Sequence, residues 1–267
     1  MYSRPTAPLS IGGVIDDAIR IYRESFSRCW VPALLLALVS GVIGLWLSTH
    51  ALANLRAGPP SAAMLRVYAQ PGVSGLYLVQ WLLTAGLYGA LFLAQDGATG
   101  GSVQSLGEAF GGGFARIGGA ILAAILFGII VAVGFALLLI PGFYFLGALC
   151  LWPVALFIDG EGALASFHTS RALTRGHWWR TSAIITVAFI IILVFSMVIG
   201  LVGGGLSVVN LRRDPTLALI GIQSVAMVAN IFIIPMYSAV LLSIYRDLKL
   251  RREGGDLADR LGALPAG

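Results

Sequence analysis

Apolar positions in this chain gather into long stretches without a charged residue, and the pattern within them is neither the alternation of a half-buried strand nor the ten-residue repeat of a membrane barrel. About 20 apolar residues wound as a helix match the roughly 30 Å hydrocarbon core of a bilayer, and only a helix pairs all its backbone amides within one isolated segment. The stretches therefore predict membrane helices over residues 30–48, 73–95, 117–140, 143–158, 181–204 and 217–245, followed by a polar tail over 246–267. Between the first two lies a loop with Gly58, Pro59, Pro60 and Pro71 as breakers. The run from Ile117 to Ile158 has no charge in 42 residues, about twice what one crossing needs, so it must fold back. Pro141 and Gly142 are the expected turn, Pro presetting the first turn position and Gly accepting positive φ at the second. Gly203, Gly204 and Gly205 are expected to end the fifth helix early, and Pro235 to kink the sixth.

Each odd-numbered span is preceded by a segment with amphipathic helical spacing. The first covers 9–28, where Ile11, Ile15, Ile19, Tyr22 and Phe26 form a stripe opposite Asp16, Arg20 and Arg23. The second carries Leu106, Phe110, Phe114 and Ile117, with Gly111 to Gly113 weakening the helix as a hinge or turn signal. In the third, Asp159 to Arg180, Ala163, Phe167 and Trp178 oppose Arg171 and Arg175. The fold expected is an all-α integral membrane protein of six transmembrane helices with cytoplasmic amphipathic helices, arranged as three repeats of surface helix plus hairpin.

Charge orients that arrangement. Alternating the loops places 13 of the 17 basic residues with the two termini and the loops after spans two and four, leaving Arg56, Arg66, Arg212 and Arg213 opposite. Eleven of the twelve acidic residues share the basic side. Cytoplasmic flanks keep Lys and Arg, so both termini are expected in the cytoplasm. With 58% hydrophobic and 11% charged residues the chain has less than half the charge of a typical soluble domain. The segment before the first span is too long and too acidic for a cleaved signal peptide, so that span is expected to remain.

The candidate chemistry is sparse. No Asp, Glu, Lys or Arg falls at the centre of a proposed span, which argues against a proton-coupled carrier. Asn230, near the middle of span six, is the intramembrane polar residue that suits a ligand best. Ala120, Ala124, Gly128, Ala132 and Ala136 put a small residue at every fourth position of span three, the spacing that lets two helices pack closely; a helix lining a narrow path is the functional alternative. Arg171, Arg175, Trp178, Trp179 and Arg180 are expected to meet lipid headgroups, the tryptophans sitting half in hydrocarbon with a wet N–H and the arginines facing phosphate; the alternative is that the arginines only enforce topology. His50, His168 and His177 lack the paired spacing of a zinc site, and Cys29 and Cys150 show no metal or redox spacing. No phosphate-binding loop or nucleophile elbow is present, so no catalytic residue, metal or cofactor is predicted. The net charge of +5 borders membrane spans and points to anionic lipid rather than nucleic acid.

Three stretches, PLSIGGVIDDAIRIYRESFSR from Pro8 to Arg28, Ile140 to Arg180 with IPG and ALASFHTSRALTRGHWWR, and IYRDLKLRREGGDL from Ile244 to Leu257, together resemble the membrane domain fused to some bacterial glycerophosphodiester phosphodiesterases and its stand-alone relatives of unknown function. The resemblance implies a membrane architecture in a bacterial inner membrane. It implies no phosphodiesterase activity, because the catalytic barrel is a separate domain. The function expected is a non-catalytic module that binds membrane lipids or scaffolds a membrane protein partner; the alternatives are a transporter or lipid-translocating protein and, less favoured, an enzyme acting on lipid. Reporter fusions at the C-terminus and at Arg213 are expected on opposite sides of the membrane; finding both on one side removes a span or the hairpin between spans three and four.

Overall fold

The computed structural model describes residues 2–55, 71–102, 105–211 and 214–262; the expected breakers Gly58, Pro59 and Pro60 and the opposite-side Arg56, Arg66, Arg212 and Arg213 lie outside them. All regular structure among the described residues is helical: α1 (Ile11–Leu55), α2 (Pro71–Ala98), α3 (Leu106–Ala115), α4 (Ile117–Leu137), α5 (Leu139–Leu149), α6 (Trp152–Ile158), α7 (Ala163–Thr174), α8 (Trp178–Leu211) and α9 (Pro215–Gly262). Among the described residues, six segments are long and apolar enough to cross a membrane: Ile11–His50, Gly72–Ala98, Ile117–Leu137, Leu139–Ile158, Trp178–Gly205 and Thr216–Arg252. Helices α1, α8 and α9 pack together, α2 lies on α1, and the α4–α5 hairpin completes the bundle against α2 and the short α6 and α7.

Several local expectations are corrected. The first amphipathic segment is not a separate surface helix, since α1 runs unbroken from Ile11 to Leu55 with Pro32 inside it. Its buried face is Val14, Asp17, Ala18, Ile21, Ser25, Cys29, Ala33, Leu36 and Ala37, while Ile11 and Ile19 of the bulky stripe are exposed. Small residues let α1 approach α9 closely, and that packing outweighs the amphipathic pattern. Pro141 and Gly142 are not the turn between the third and fourth spans. The chain reverses at Leu138, which is extended (φ −163°, ψ 152°). Pro141 then sits in the first turn of α5, where a missing N–H leaves no helical bond unmade. Gly203 to Gly205 continue α8 to Leu211, and the expected polar tail continues α9 to Gly262. At 1.5 Å per residue, the 48 residues of α9 extend about 72 Å, far beyond one hydrocarbon core.

The fourth span is broken at Cys150 and Leu151, between α5 and α6. A broken helix leaves amides and carbonyls unpaired, which hydrocarbon does not tolerate. Helix α7 supplies the partners: Ser170 Oγ donates to the Ala148 carbonyl at 3.0 Å and accepts the Leu151 N–H at 3.1 Å. Thr174 Oγ1 reaches the same carbonyl at 3.1 Å. The segment Asp159 to Arg180 is therefore no single amphipathic helix. It is α7, with Ser166, Ser170 and Thr174 buried, bounded by Gly160 and Gly176 at φ +73° and +81°, left-handed positions that suit glycine.

The Gly111–Gly113 run is helical, not a hinge. Ser105 Oγ accepts the Glu108 N–H at the start of α3, and Gly113 lets α3 lie directly on the backbone of α2. A Cβ on Gly89 would stand 2.7 Å from Gly113 Cα, and one on Gly113 would press into the Ala90 amide and the Gly86 carbonyl. The small-residue stripe of α4 does not pack in this way: Ala120 is buried, but Gly128 and Ala132 are exposed, and a Cβ on Gly128 meets nothing within 4 Å. Gly113→Ala is expected to lower stability in detergent by about 2 kcal/mol, the cost of overpacking against backbone that cannot yield. Gly128→Leu is expected to leave the melting temperature unchanged, and both are read by thermal unfolding.

Candidate functional site

The polar side chains cluster at one end of the bundle, around the α9 stretch from Ser243 to Arg251. Successive residues of a helix turn by about 100°, so this stretch carries polar groups on all sides and is met on all sides. Asp247, nearly buried, accepts the Leu9 N–H on Oδ1 at 2.7 Å and both Arg180 and Arg251 on Oδ2 at 3.0 Å. Both arginines also donate to the Leu9 carbonyl. One residue back, and so about 100° around the helix, Arg246 bonds Asp96 Oδ1 at 2.6 Å and Thr99 Oγ1 at 2.7 Å, and Arg4 joins the same carboxylate at 3.0 Å. Ser243 Oγ lies 2.7 Å from Asp17 Oδ2, and Tyr2 donates its hydroxyl to Asp17 Oδ1 at 2.9 Å. On the remaining side Tyr245 and Lys249 reach Asp159. The chain before α1 is thereby strapped across the bundle end at Tyr2, Arg4 and Leu9.

Burial first, and the Asp17 carboxylate second, push the Tyr2 hydroxyl from its ordinary 10 up to about 12. A raised folded-state value means that Tyr2 stays a protonated donor across the neutral range. Its contribution to stability is complete below about pH 10 and is lost as pH rises through about 12.

Beside this polar end lies an apolar cleft of about 950 Å³. One face of α2 supplies Tyr77, Trp81, Tyr88 and Phe92; α4 supplies Ala120, Ala124 and Phe127; α8 and α9 supply Ile185, Phe189, Tyr237 and Leu241; Phe143, Trp152 and Phe157 close it from the hairpin and α6. From Tyr77 to Phe92 the cleft follows α2 for about 22 Å. Its few polar side chains include Gln80, Thr84 and Ser182, and the buried Gln80 Oε1 and Ser182 Oγ have no hydrogen-bond partner among the described residues. Exposed Phe143 and Phe189 at its edge mark a lateral opening.

The predicted site residues are dispersed by this arrangement. Ala120 and Ala124 wall the cleft, where their lack of bulk makes room. Asn230 lies elsewhere, in a crevice of about 190 Å³ between α8 and α9 beside Gly200, Gly203 and Gly204. Arg180 is held by Asp247 and the Leu9 carbonyl, and so is not free to meet a headgroup. Trp178 is likewise occupied, donating to the Tyr144 carbonyl at 3.1 Å and stacking on its ring. Arg171, Arg175 and Trp179 remain exposed. The aromatic face of α2 and the buried Asp17, Asp96 and Asp247 were not singled out from sequence; aromatics at positions 77, 81, 88 and 92 are a helical-face signal that would have marked the first. Among the described residues no group of three or more His, Cys, Asp or Glu is placed to hold a metal ion.

A family model described as Domain of unknown function (DUF7847) matches residues 77–248, a stretch that includes every cleft residue except Ser40. No curated protein matches, and no solved structure does; the comparisons link the chain to no glycerophosphodiester phosphodiesterase. Asp247→Asn is expected to lower stability by about 3 kcal/mol because it leaves Arg180 and Arg251 against a neutral partner in a buried setting. Asp16→Asn, which removes only the exposed pair with Arg20, is expected to leave the melting temperature unchanged.

Proposed function

The chain belongs to this family of unknown function, and from that premise we propose that it is a non-catalytic, multi-pass module of the bacterial inner membrane that holds a membrane lipid in the cleft, with both termini cytoplasmic. The cleft itself carries the reading. Its volume is at the upper end of small-molecule sites, its walls are aromatic and aliphatic, and it opens sideways where lipid would stand. An apolar space of this size beside acyl chains gains dispersion contacts when a chain enters it, and loses them when empty. Gln80 and Ser182 offer the few polar groups that an amphiphile's ester region or hydroxyls can use. Scaffolding of a membrane protein partner is compatible with the same module, through the long polar continuation of α9.

Lipid translocation is the second reading, and the length of the cleft favours it: about 22 Å along α2 is more than half of a roughly 30 Å core. Reconstituted vesicles separate the two, since lipid flipping above that of empty vesicles supports translocation. Ala124→Phe places a ring in the cleft without touching the polar end. It is expected to reduce co-purifying lipid severalfold, measured by native mass spectrometry, with little change in melting temperature. Undiminished lipid in a folded A124F protein overturns the cleft as the lipid site.

A further inference from the structure

Four arginines among the described residues are half-buried: Arg116, Arg180, Arg246 and Arg251. Three have a carboxylate partner, Arg180 and Arg251 on Asp247 and Arg246 on Asp96. Arg116 has none among the described residues; its Nη1 donates to the Phe157 carbonyl at 2.6 Å. Arg116 does not itself line the cleft but adjoins two residues that do. The Phe157 ring lines the cleft, and Ala120, one turn along α4 from Arg116, is another wall residue. The guanidinium fork has five donors, so one carbonyl bond leaves most of them free. Gly160 lies beside them: a Cβ there would stand 2.9 Å from Arg116 Nη2, and its absence keeps space around the guanidinium.

A part-buried charge without a counter-charge is costly, and a guanidinium matches phosphate or carboxylate in a forked, charge-assisted geometry. We infer that Arg116 recognises the anionic headgroup of a lipid whose acyl chain occupies the cleft, so that the site selects anionic over zwitterionic lipids. The inference rests on the cleft being a lipid site and adds the class of lipid and the residue that selects it. It also separates this role from Arg171 and Arg175, which are exposed on α7 and its C-terminal cap, where any anionic surface can approach them.

The full-length protein, stripped of lipid, is offered phosphatidylglycerol and phosphatidylcholine with identical acyl chains in mixed micelles, and retained lipid is counted by native mass spectrometry. The wild type is expected to prefer phosphatidylglycerol by roughly tenfold, the scale of one charged hydrogen-bonded contact. R116Q is expected to retain both lipids about equally, R116K to keep part of the preference, and an R171Q/R175Q double variant to keep all of it. Equal retention by the wild type, or an unchanged preference in R116Q, overturns the assignment while leaving the lipid site standing. Loss of preference in R171Q/R175Q assigns the headgroup to the exposed pair instead; that arm decides even where R116Q fails to fold. Inorganic phosphate is the third probe: phosphate that binds the wild type as tightly as phosphatidylglycerol does identifies a free-anion site and overturns the lipid assignment, because an acyl chain in the cleft must add affinity. Equal lipid retention by A124F and the wild type defeats the cleft reading itself.

Discussion

Everything at the polar end depends on Asp247. In water, helices associate because association removes apolar surface from solvent; in hydrocarbon that drive is absent, and packing and polar bonds must choose the neighbours. Asp247 gathers the N-terminal strap through Leu9, the start of α8 through Arg180 and the next turn of α9 through Arg251. Its side chain is 3% exposed, so these partners are required: without them a carboxylate would be buried without compensation. Asp96 and Asp17 repeat the arrangement toward α2 and α1. The bundle is thus held at one end by ion pairs that join α9 to α2 and α8, and by hydrogen bonds from Ser243 that join it to α1.

Fixing one end leaves the rest of each helix to be packed by its surface, and the surfaces differ. Helix α1 turns its small residues toward α9, while α3 and α2 meet through Gly113, Gly86 and Gly89. The α4–α5 hairpin is closed on itself in the same way, a Cβ on Gly134 falling 3.0 Å from Gly142 Cα. Its tip, Leu137 to Ile140, is wholly apolar and exposed, Ile140 reaching 80%, and a Cβ on Gly128 would meet nothing within 4 Å. The cleft is the space left between helices tied tightly at the polar end and a hairpin held there by α6 and α7, with bulky rings on α2, α8 and α9 keeping the walls apart.

The six long apolar helices were legible in the sequence because length and lack of charge suffice to mark them, although their ends were not. Residues at the junctions were less so. The reversal falls at Leu138 rather than Pro141 because Pro is also well suited to the opening turn of the next helix, and sequence does not rank the two uses. Ile11, Ile15 and Ile19 make a convincing membrane-surface stripe, yet the protein buries the adjacent face, where Ser243 of α9 bonds the Val14 carbonyl and Asp17. Arg180 reads like any basic anchor beside tryptophans; only the long-range pairing with Asp247, 67 residues away, distinguishes it. Asp16 and Asp17 show the same limit in neighbouring positions, the first exposed beside Arg20 and the second buried under Tyr2 and Ser243.

That limit bears on how a basic excess beside membrane spans is interpreted. Counted along the chain, Lys and Arg at this end form one class, the cations that orient a membrane protein. In three dimensions they do different work. Arg180, Arg246 and Arg251 are consumed by buried carboxylates and hold helices together; Arg171 and Arg175 stand in the open. Arg116 is half-buried like the first group and, among the described residues, has no carboxylate partner, like the second. A cation in that position has donors to offer an anion, and it adjoins the cleft through Phe157 and Ala120. Partner accounting for each half-buried charge, rather than the number of charges, is what separates recognition from topology and from structure.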